Sequence, residues 1–382
     1  MGKLSARSIG LGLAAPVGAL VFAALVCSII LGATGHSPLD TMSAMVDSLT
    51  KPRLGPRTFV NSVNSATTYY LAAVAVAIGF RMRLFNIGVN GQYQLAAMIA
   101  AAIASASWMV GVPSVLRIAL TLIAAMLVGA AWAGLAALLK VTRGVSEVIS
   151  TIMLNAIATS LITFLLSPDR MGAVDPSGND TRTAKIDAGG QVSGLSYPGT
   201  GSEIYGLIFL AAVVGIAYWF LLSRTRFGFE LKATGLSESA AVASGVSVKR
   251  MVVYSLLLSG AAAGLVGMPA LLGDIYTYSS QNFPSTVGFT GIAVALLGRN
   301  HPVGMAVASL LWGLLDNTAN SLDVAGVPKE IVAIMQGVIV LSVVVAYELV
   351  RRYRVRLEQR DVGRALGTTK TPESADAEEV HA

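Results

Sequence analysis

Long apolar runs recur along almost the whole sequence, and they restrict the possible folds more than any other feature. A helix that crosses about 30 Å of hydrocarbon needs roughly 20 apolar residues, because lipid offers no hydrogen-bond partner to an open backbone. Periodic apolar segments of about that length occur about ten times. We predict spans at residues 9–33, 60–80, 85–107, 114–138, 146–166, 204–222, 251–272, 285–298, 302–321 and 328–349.

The composition agrees with a chain embedded in lipid. Of its 382 residues 54% are hydrophobic and 13% are charged, whereas soluble domains carry about 25% charged residues. The net charge of +6 comes from basic residues at the ends of apolar runs, so nucleic acid is not an expected partner. The GxxxG at Gly260 and Gly264 predicts close helix packing. We therefore predict an all-α membrane protein, with residues 1–350 as one transmembrane domain in contact with lipid.

The positions of the basic residues predict how the spans alternate across the membrane. With the N-terminus in the cytoplasm, 19 of the 27 Lys and Arg residues fall inside and 8 outside, as the positive-inside rule expects. Both termini are then cytoplasmic, and the polar tail, 351–382, is predicted to be disordered. Ten spans divide into two sets of five, and an odd number per half would make the halves inverted repeats.

Two long connections lie between the predicted spans. The outer one, 167–203, is rich in Ser, Gly, Asp and Pro, and is interpreted either as a solvated linker or as a landing surface for an extracytoplasmic partner. The inner one covers 223–250. In it Ser237 can cap a two-turn helix through Ala243 that Gly245 ends. Such a helix would be either a plain interfacial helix or a rigid lever moved by a soluble motor.

The sequence contains no motif of a catalytic or metal-binding site. His36, His301 and His381 are its only histidines and Cys27 is its only cysteine, and HExxH, GxSxG and the Walker A loop are absent. We therefore expect a chain that is not an enzyme and binds no cofactor or metal. If ATP and Mg²⁺ are used, they act in a separate partner ATPase.

Polar side chains recur at helical spacing inside four predicted spans. They face protein or water rather than lipid, so they either form interhelical hydrogen bonds or line a hydrated path. Amides suit a neutral polar solute, and nothing in the sequence resembles a ring of like charges or a carbonyl filter, which argues against an ion channel. The candidate pathway residues are Asn61, Asn64, Asn86, Asn90, Gln92, Gln94, Asn155, Asp316, Asn317 and Asn320.

Two segments resemble a known family. RFGFELKATGLSESAAVASGVSV, within the inner connection, resembles the cytoplasmic coupling segment of bacterial ABC importer permeases of the ribose, branched-chain amino acid and nucleoside group. RLFNIGVNGQYQLAA at 83–97 is similar to the nucleoside branch in particular. The resemblance extends over residues 60–350, although members often carry Glu where this chain has Asn90.

The resemblance implies a ten-helix, type II-like importer permease in the bacterial plasma membrane. Its partners would be a second permease subunit, as a heterodimer, cytoplasmic ABC ATPases and an extracytoplasmic solute-binding lipoprotein. Its solute would be a nucleoside, with Tyr69, Tyr70 or Tyr93 available for stacking. A ribose-type sugar or branched-chain amino acid permease and an ion-coupled secondary transporter remain alternatives. The ATPase-coupling segment would be Gly235, Leu236, Ser237, Glu238, Ser239 and Ala240.

Overall fold

The structure is a computed structural model and describes residues 6–52, 54–174, 180–324 and 326–367. Most of these residues are helical, and the few strands are short. The α-helices are α1 (Ala6–Ala33), α2 (Pro38–Thr50), α3 (Gly55–Phe80), α4 (Val89–Ala104), α5 (Ser114–Arg143), α6 (Glu147–Leu165), α7 (Ile208–Arg224), α8 (Arg226–Leu236), α9 (Glu238–Ala243), α10 (Val248–Gly264), α11 (Met268–Ala270), α12 (Val287–Leu297), α13 (Pro302–Val324) and α14 (Lys329–Gly367).

Each predicted span contains a helix, which confirms the mainly helical class. Several boundaries shift: α3 begins at Gly55 rather than at residue 60, and α4 begins at Val89 rather than at residue 85. Two helices, α2 and α8, were not predicted. α2 lies in the connection between the first two predicted spans. Its Leu39, Met42, Val46 and Leu49 are exposed at near-helical spacing, a pattern typical of an interfacial helix.

Several helices have the length and composition of membrane spans. Five qualify among the described residues, or up to seven if each of two bent helix pairs counts as one span. α4 and α12 are too short, because 16 and 11 residues extend only about 24 Å and about 17 Å at 1.5 Å per residue. The chain is thus a multi-pass membrane protein, while ten crossings and inverted halves stay predictions.

The chain divides into two compact units. One contains residues 6–38 and 334–367 of the described chain, which are α1 and most of α14. The other, residues 39–333, contains the remaining elements. Within it α3 and the α10–α11 segment are central, since 67% of each apolar window is buried. α5 and α6 are only 28% buried and present apolar surface outward, as lipid-facing helices do.

α5 and α10 pack through glycine. A Cβ atom on Gly260 would lie 2.3 Å from the carbonyl oxygen of Gly129, and one on Gly264 would lie 2.1 Å from that of Ala125. Side chains are therefore excluded from this contact. The predicted GxxxG packing is confirmed, and it brings two backbones together where no hydrophobic effect operates between helices.

We expect Gly260→Leu to destabilise the protein by about 3 kcal/mol, at the upper end of the overpacking costs seen in protein cores. The new side chain would force α5 and α10 apart. Thermal unfolding of the purified protein in detergent would measure the effect. The matched control is Gly337→Leu in α14, where no atom lies within 4 Å of an added Cβ. Equal unfolding temperatures for the two variants would contradict the expectation.

The outer connection contains two small hairpins. β1 (Gly172–Val174) pairs antiparallel with β2 (Thr181–Thr183), and β3 (Leu195–Ser196) with β4 (Glu203–Ile204). This segment therefore contains regular secondary structure that its composition did not predict. The tail prediction is also corrected, because α14 continues to Gly367. Residues 368–382 lie outside the described residues.

Candidate functional site

A polar cavity of about 310 Å³ lies within the unit of residues 39–333. Residues of α3, α4 and α13 and of the segment 267–287 form its wall. Amides, hydroxyls and aromatic rings predominate in the lining, a combination suited to a small polar solute with flat apolar faces. The lining residues are Asn61, Asn64, Ser65, Thr68, Tyr69, Tyr93, Tyr205, Gly267, Ala270, Asp274, Asn282, Phe283, Pro284, Val287 and Asn317.

α3 contributes one continuous polar face. Its five lining residues lie at i, i+3, i+4, i+7 and i+8 from Asn61, which places them on one side of the helix. Asn64 is fixed at the outer connection: its Nδ2 donates to the carbonyl of Glu203, and its Oδ1 accepts from the amide of Tyr205, both at 2.9 Å. This side chain therefore joins α3 to the end of β4.

α13 lies beside that face and bonds to it. The Tyr69 hydroxyl donates to the Asp316 carboxylate. Asn317 Nδ2 donates to Ser65 Oγ at 3.1 Å and to the carbonyl of Gly313 at 2.8 Å. Asp316 is therefore placed behind an aromatic ring that lines the cavity. Asn320 also belongs to α13, but its side chain is outside the part of the chain that the structure describes.

The opposite wall is held by α4. The Tyr93 hydroxyl donates to the carbonyl of Pro284, and Gln94 Nε2 donates to that of Phe283 at 2.7 Å. Phe283 also stacks on Tyr278, with ring centroids 4.9 Å apart. These contacts fix a segment without regular secondary structure against the cavity.

The other predicted amides do not line this cavity. Asn86 and Gln92 bond to each other in a reciprocal pair at 2.9 and 3.0 Å, and Asn86 also donates to Ser259. Asn90 Oδ1 accepts from the amide of Gly288 at 2.7 Å. Asn155 joins α6 to the start of α4 through Gly91 and Ile87. These four residues therefore form hydrogen bonds that connect parts of the protein and do not line this cavity.

An outer strap, residues 180–192, runs along the end of the α10–α11 segment. Backbone amides of the strap donate to carbonyls of Leu272, Tyr276 and Tyr278 at 2.7–3.0 Å. Arg117, which is 1% exposed, anchors the strap: its guanidinium donates to the carbonyl of Ala104 and pairs with Asp187 at 2.5 Å. The charge pair thus ties the start of α5 to the strap.

We expect Asp187→Ala to loosen the strap, because it leaves the buried Arg117 charge without its carboxylate partner. Asp187 is half-exposed, so the cost is about 1–2 kcal/mol rather than that of a fully buried pair. This corresponds to a roughly 5- to 30-fold larger open population. Tryptic cleavage at Arg182 and Lys185 in the purified protein would measure it. The same change at exposed Asp169 is the control, and equal cleavage rates would contradict the expectation.

Tyr205 and Asp274 are neighbours at the cavity. Burial, with a further contribution from the nearby Asp274 carboxylate, raises the pKa of Tyr205 to about 12. The phenol therefore remains protonated at neutral pH and can donate a hydrogen bond. Neither residue was predicted. Tyr205 follows β4, and Asp274 lies in the short segment 271–278, and neither position belongs to a run of polar residues at helical spacing.

The predicted coupling segment lies at the turn between α8 and α9. Ser237 caps α9, with its Oγ accepting from the amide of Ala240 at 3.3 Å, and Gly245 follows with φ +80°; the predicted local structure is confirmed. Gly235 and Leu236 belong to α8 instead. Leu236 is 76% exposed. Glu238, Ser239 and Ala240 are exposed as well.

α8 also contacts the C-terminal end of α3. A Cβ on Gly235 would lie 2.3 Å from the carbonyl oxygen of Arg81. Arg81 Nη2 donates to the carbonyl of Asn300 at 2.7 Å, and Tyr218 donates to the same carbonyl at 2.9 Å. One residue therefore joins α8, α7 and the turn between α12 and α13.

These features define a multi-pass helical membrane protein with an internal polar cavity and an exposed helical turn at one end. Residues 58–344 match the family described as the permease component of the branched-chain amino acid transport system. The match covers more than half of the chain, so the chain belongs to this family of permeases. Its subunits are non-catalytic. Among the described residues no group of three or more His, Cys, Asp or Glu side chains could hold a metal ion.

Individual relatives are similar over most of their length. The guanosine ABC transporter permease protein NupP of Bacillus subtilis (strain 168) is 32% identical over 87% of this chain and 93% of its own. The nucleoside ABC transporter permease protein NupB of Lactococcus lactis subsp. cremoris (strain MG1363) is 31% identical over 87% and 90%. The glucose ABC transporter permease protein TsgB13 of Haloferax volcanii is 30% identical over 89% of both chains. No solved structure matched.

Proposed function

We propose that this chain is the permease subunit of an ABC importer that carries nucleosides into the cytoplasm. The observation that supports this most directly is the cavity, where amides and hydroxyls alternate with the rings of Tyr69, Tyr93, Tyr205 and Phe283. A nucleoside has the matching chemistry, a flat base with hydrogen-bonding edges and a sugar with hydroxyls. Two relatives named for guanosine and nucleoside transport support the same solute.

The size of the cavity also suits a small solute. At about 310 Å³ it lies near the lower end of the range of about 300–1,000 Å³ for small-molecule sites. We propose that Asn61, Asn64 and Asn317 contact the solute. Asn86, Asn90, Gln92, Gln94 and Asn155 would hold the surrounding helices, and Asp316 would orient Tyr69 through their hydrogen bond.

ATP binding and hydrolysis, with Mg²⁺, would occur in a partner ATPase that contacts the α8–α9 turn at the cytoplasmic face. An exposed apolar side chain, Leu236, next to an exposed acid, Glu238, is typical of a protein contact surface. A second permease subunit, as a heterodimer, and an extracytoplasmic solute-binding lipoprotein would complete the assembly. Nucleotide binding would then shift the permease between outward and inward access.

Uptake into membrane vesicles that contain the whole assembly would test the proposal. We expect ATP-dependent accumulation of labelled guanosine, competed by other nucleosides and not by glucose or leucine. Vesicles loaded with a non-hydrolysable ATP analogue are the control. Guanosine uptake that persists with the permease alone would favour an ion-coupled carrier instead, and no guanosine uptake at all would refute the proposed solute.

A sugar is the second candidate, because the relative named for glucose transport is similar over the same share of the chain. Hydroxyl-rich sugars would also bond to the amides of the lining. Sugars offer no aromatic face for the rings of the lining to stack on. If this alternative is correct, the same vesicles should accumulate labelled glucose or ribose in preference to guanosine.

A further inference from the structure

Asp274 stands apart from the other residues of the cavity wall. It alone carries a formal charge among the described lining residues, and it is exposed. It forms no ion pair with another described side chain. Titratable groups close to it include the phenols of Tyr205 and Tyr276. An unpaired carboxylate in a lining of neutral groups adds a negative electrostatic potential inside the cavity.

The backbone around Asp274 is unusual. Leu271–Ile275 form a single π turn, and Tyr276 follows with φ +57°. π turns are rare and frequent at functional sites, and a non-glycine residue in the left-handed region persists only where its surroundings hold it. The turn therefore directs a carboxylate into the cavity at a conformational cost.

The outer strap supplies those surroundings. Its amides bond to the carbonyl of Leu272 at 2.7 Å and to that of Tyr276 at 2.9 Å, one on each side of Asp274. The buried Arg117 guanidinium, which anchors the strap, is already paired with Asp187. The strap thus fixes the position of Asp274 without neutralising it.

We propose that Asp274 is a charge-selecting residue that excludes anionic solutes, phosphorylated nucleosides in particular, from the cavity. This inference rests on the proposed function. Two unit charges about 6 Å apart in a medium of effective dielectric about 20 repel each other by an amount equivalent to roughly a hundredfold in affinity. A neutral nucleoside experiences no such repulsion, whereas a monophosphate with up to two negative charges experiences at least that much.

The charge of the cavity can be measured without transport. The lone cysteine is first removed by Cys27→Ser, and Asn61→Cys then places one thiol at an exposed position of the lining. The purified protein reacts with cationic and anionic methanethiosulfonates of similar size, and the ratio of the two rates is recorded. We expect Asp274→Asn to lower the cationic-to-anionic ratio at least tenfold. The same change at exposed Asp169, outside the cavity, should leave the ratio unchanged.

A second thiol position keeps the result independent of one site. Thr68→Cys lines the same cavity, and we expect its ratio to fall in the same direction in the Asp274→Asn background. Ratios that Asp274→Asn leaves unchanged at both positions would overturn the proposal. A fall of equal size in the Asp169→Asn background would overturn it as well, because the effect would then be one of net charge alone.

Selectivity is tested next in vesicles with the complete assembly. The quantity is the ratio of labelled guanosine 5′-monophosphate uptake to guanosine uptake, which we expect to rise at least tenfold with Asp274→Asn. An unchanged selectivity ratio together with an altered thiol ratio would show that Asp274 charges the cavity but does not select solutes, which refutes the proposal. Absence of guanosine uptake by the unsubstituted assembly refutes the proposed function separately.

Discussion

Replacing Glu238 with lysine should abolish solute uptake and leave the chain inserted in the membrane. Glu238 is the first residue of α9, where a negative charge is stabilised by the helix dipole, and it is exposed. Lysine reverses the charge on the surface that we propose contacts the ATPase. Placing like charges together at an interface costs several kcal/mol, so uptake should fall by more than about 30-fold. ATP-dependent uptake and co-purification of the ATPase are the measurements.

Two further variants separate coupling from folding. Asp169→Lys makes the same charge change at an exposed position of the outer connection, and its uptake should remain normal. Glu238→Gln keeps the size of the side chain, so its defect should be smaller. Normal uptake with Glu238→Lys would remove the coupling assignment, and ATPase binding of normal strength would place the contact elsewhere.

A movement of α8 and α9 can be transmitted to the cavity through α3. Gly235 packs against the backbone of Arg81, at the C-terminal end of α3, and Arg81 also bonds to the turn after α12. The same helix carries the polar face of the cavity from Asn61 to Tyr69. Because α3 is one continuous helix of 26 residues, a tilt at its C-terminal end would also displace its N-terminal half, which carries the polar face.

Features with short-range causes were predictable from the sequence. Ser237 and Gly245 specify the ends of α9 by a cap and a left-handed turn, which need only neighbouring residues. The apolar runs predicted the helices because a single segment in lipid can satisfy its own backbone hydrogen bonds only as a helix. The GxxxG glycines predicted that α10 packs closely against another helix, since small residues permit close approach whichever helix is the partner.

Features that depend on distant partners were not predictable. Asn90 and Asn64 are both amides on polar helix faces, yet one accepts from Gly288 within the protein and the other lies at the cavity. Helical spacing alone cannot separate these cases. Asp274 was missed for a different reason: its position comes from a π turn held by residues about 90 positions earlier in the chain. No periodic pattern records such a contact.

Filling the cavity should stop transport without disturbing the rest of the assembly. Ser65→Trp places a bulky indole ring into a space of about 310 Å³. Asn317 loses one hydrogen bond but keeps the one to Gly313. We expect guanosine uptake to fall to background, while the basal ATPase activity of the purified assembly stays within about twofold, because the α8–α9 turn is untouched.

Ser160→Trp and Ser65→Ala show whether the loss comes from the blocked cavity. Ser160 is exposed on α6, so a tryptophan there should be tolerated, and Ser65→Ala removes only a neutral hydrogen bond of about 1 kcal/mol, which should change uptake less than about fivefold. An unfolding temperature for Ser65→Trp equal to that of the unsubstituted protein would exclude a folding defect. Normal guanosine uptake through the filled cavity would mean that the solute crosses elsewhere, since a ring of that size leaves no room for a nucleoside beside Tyr69 and Tyr93.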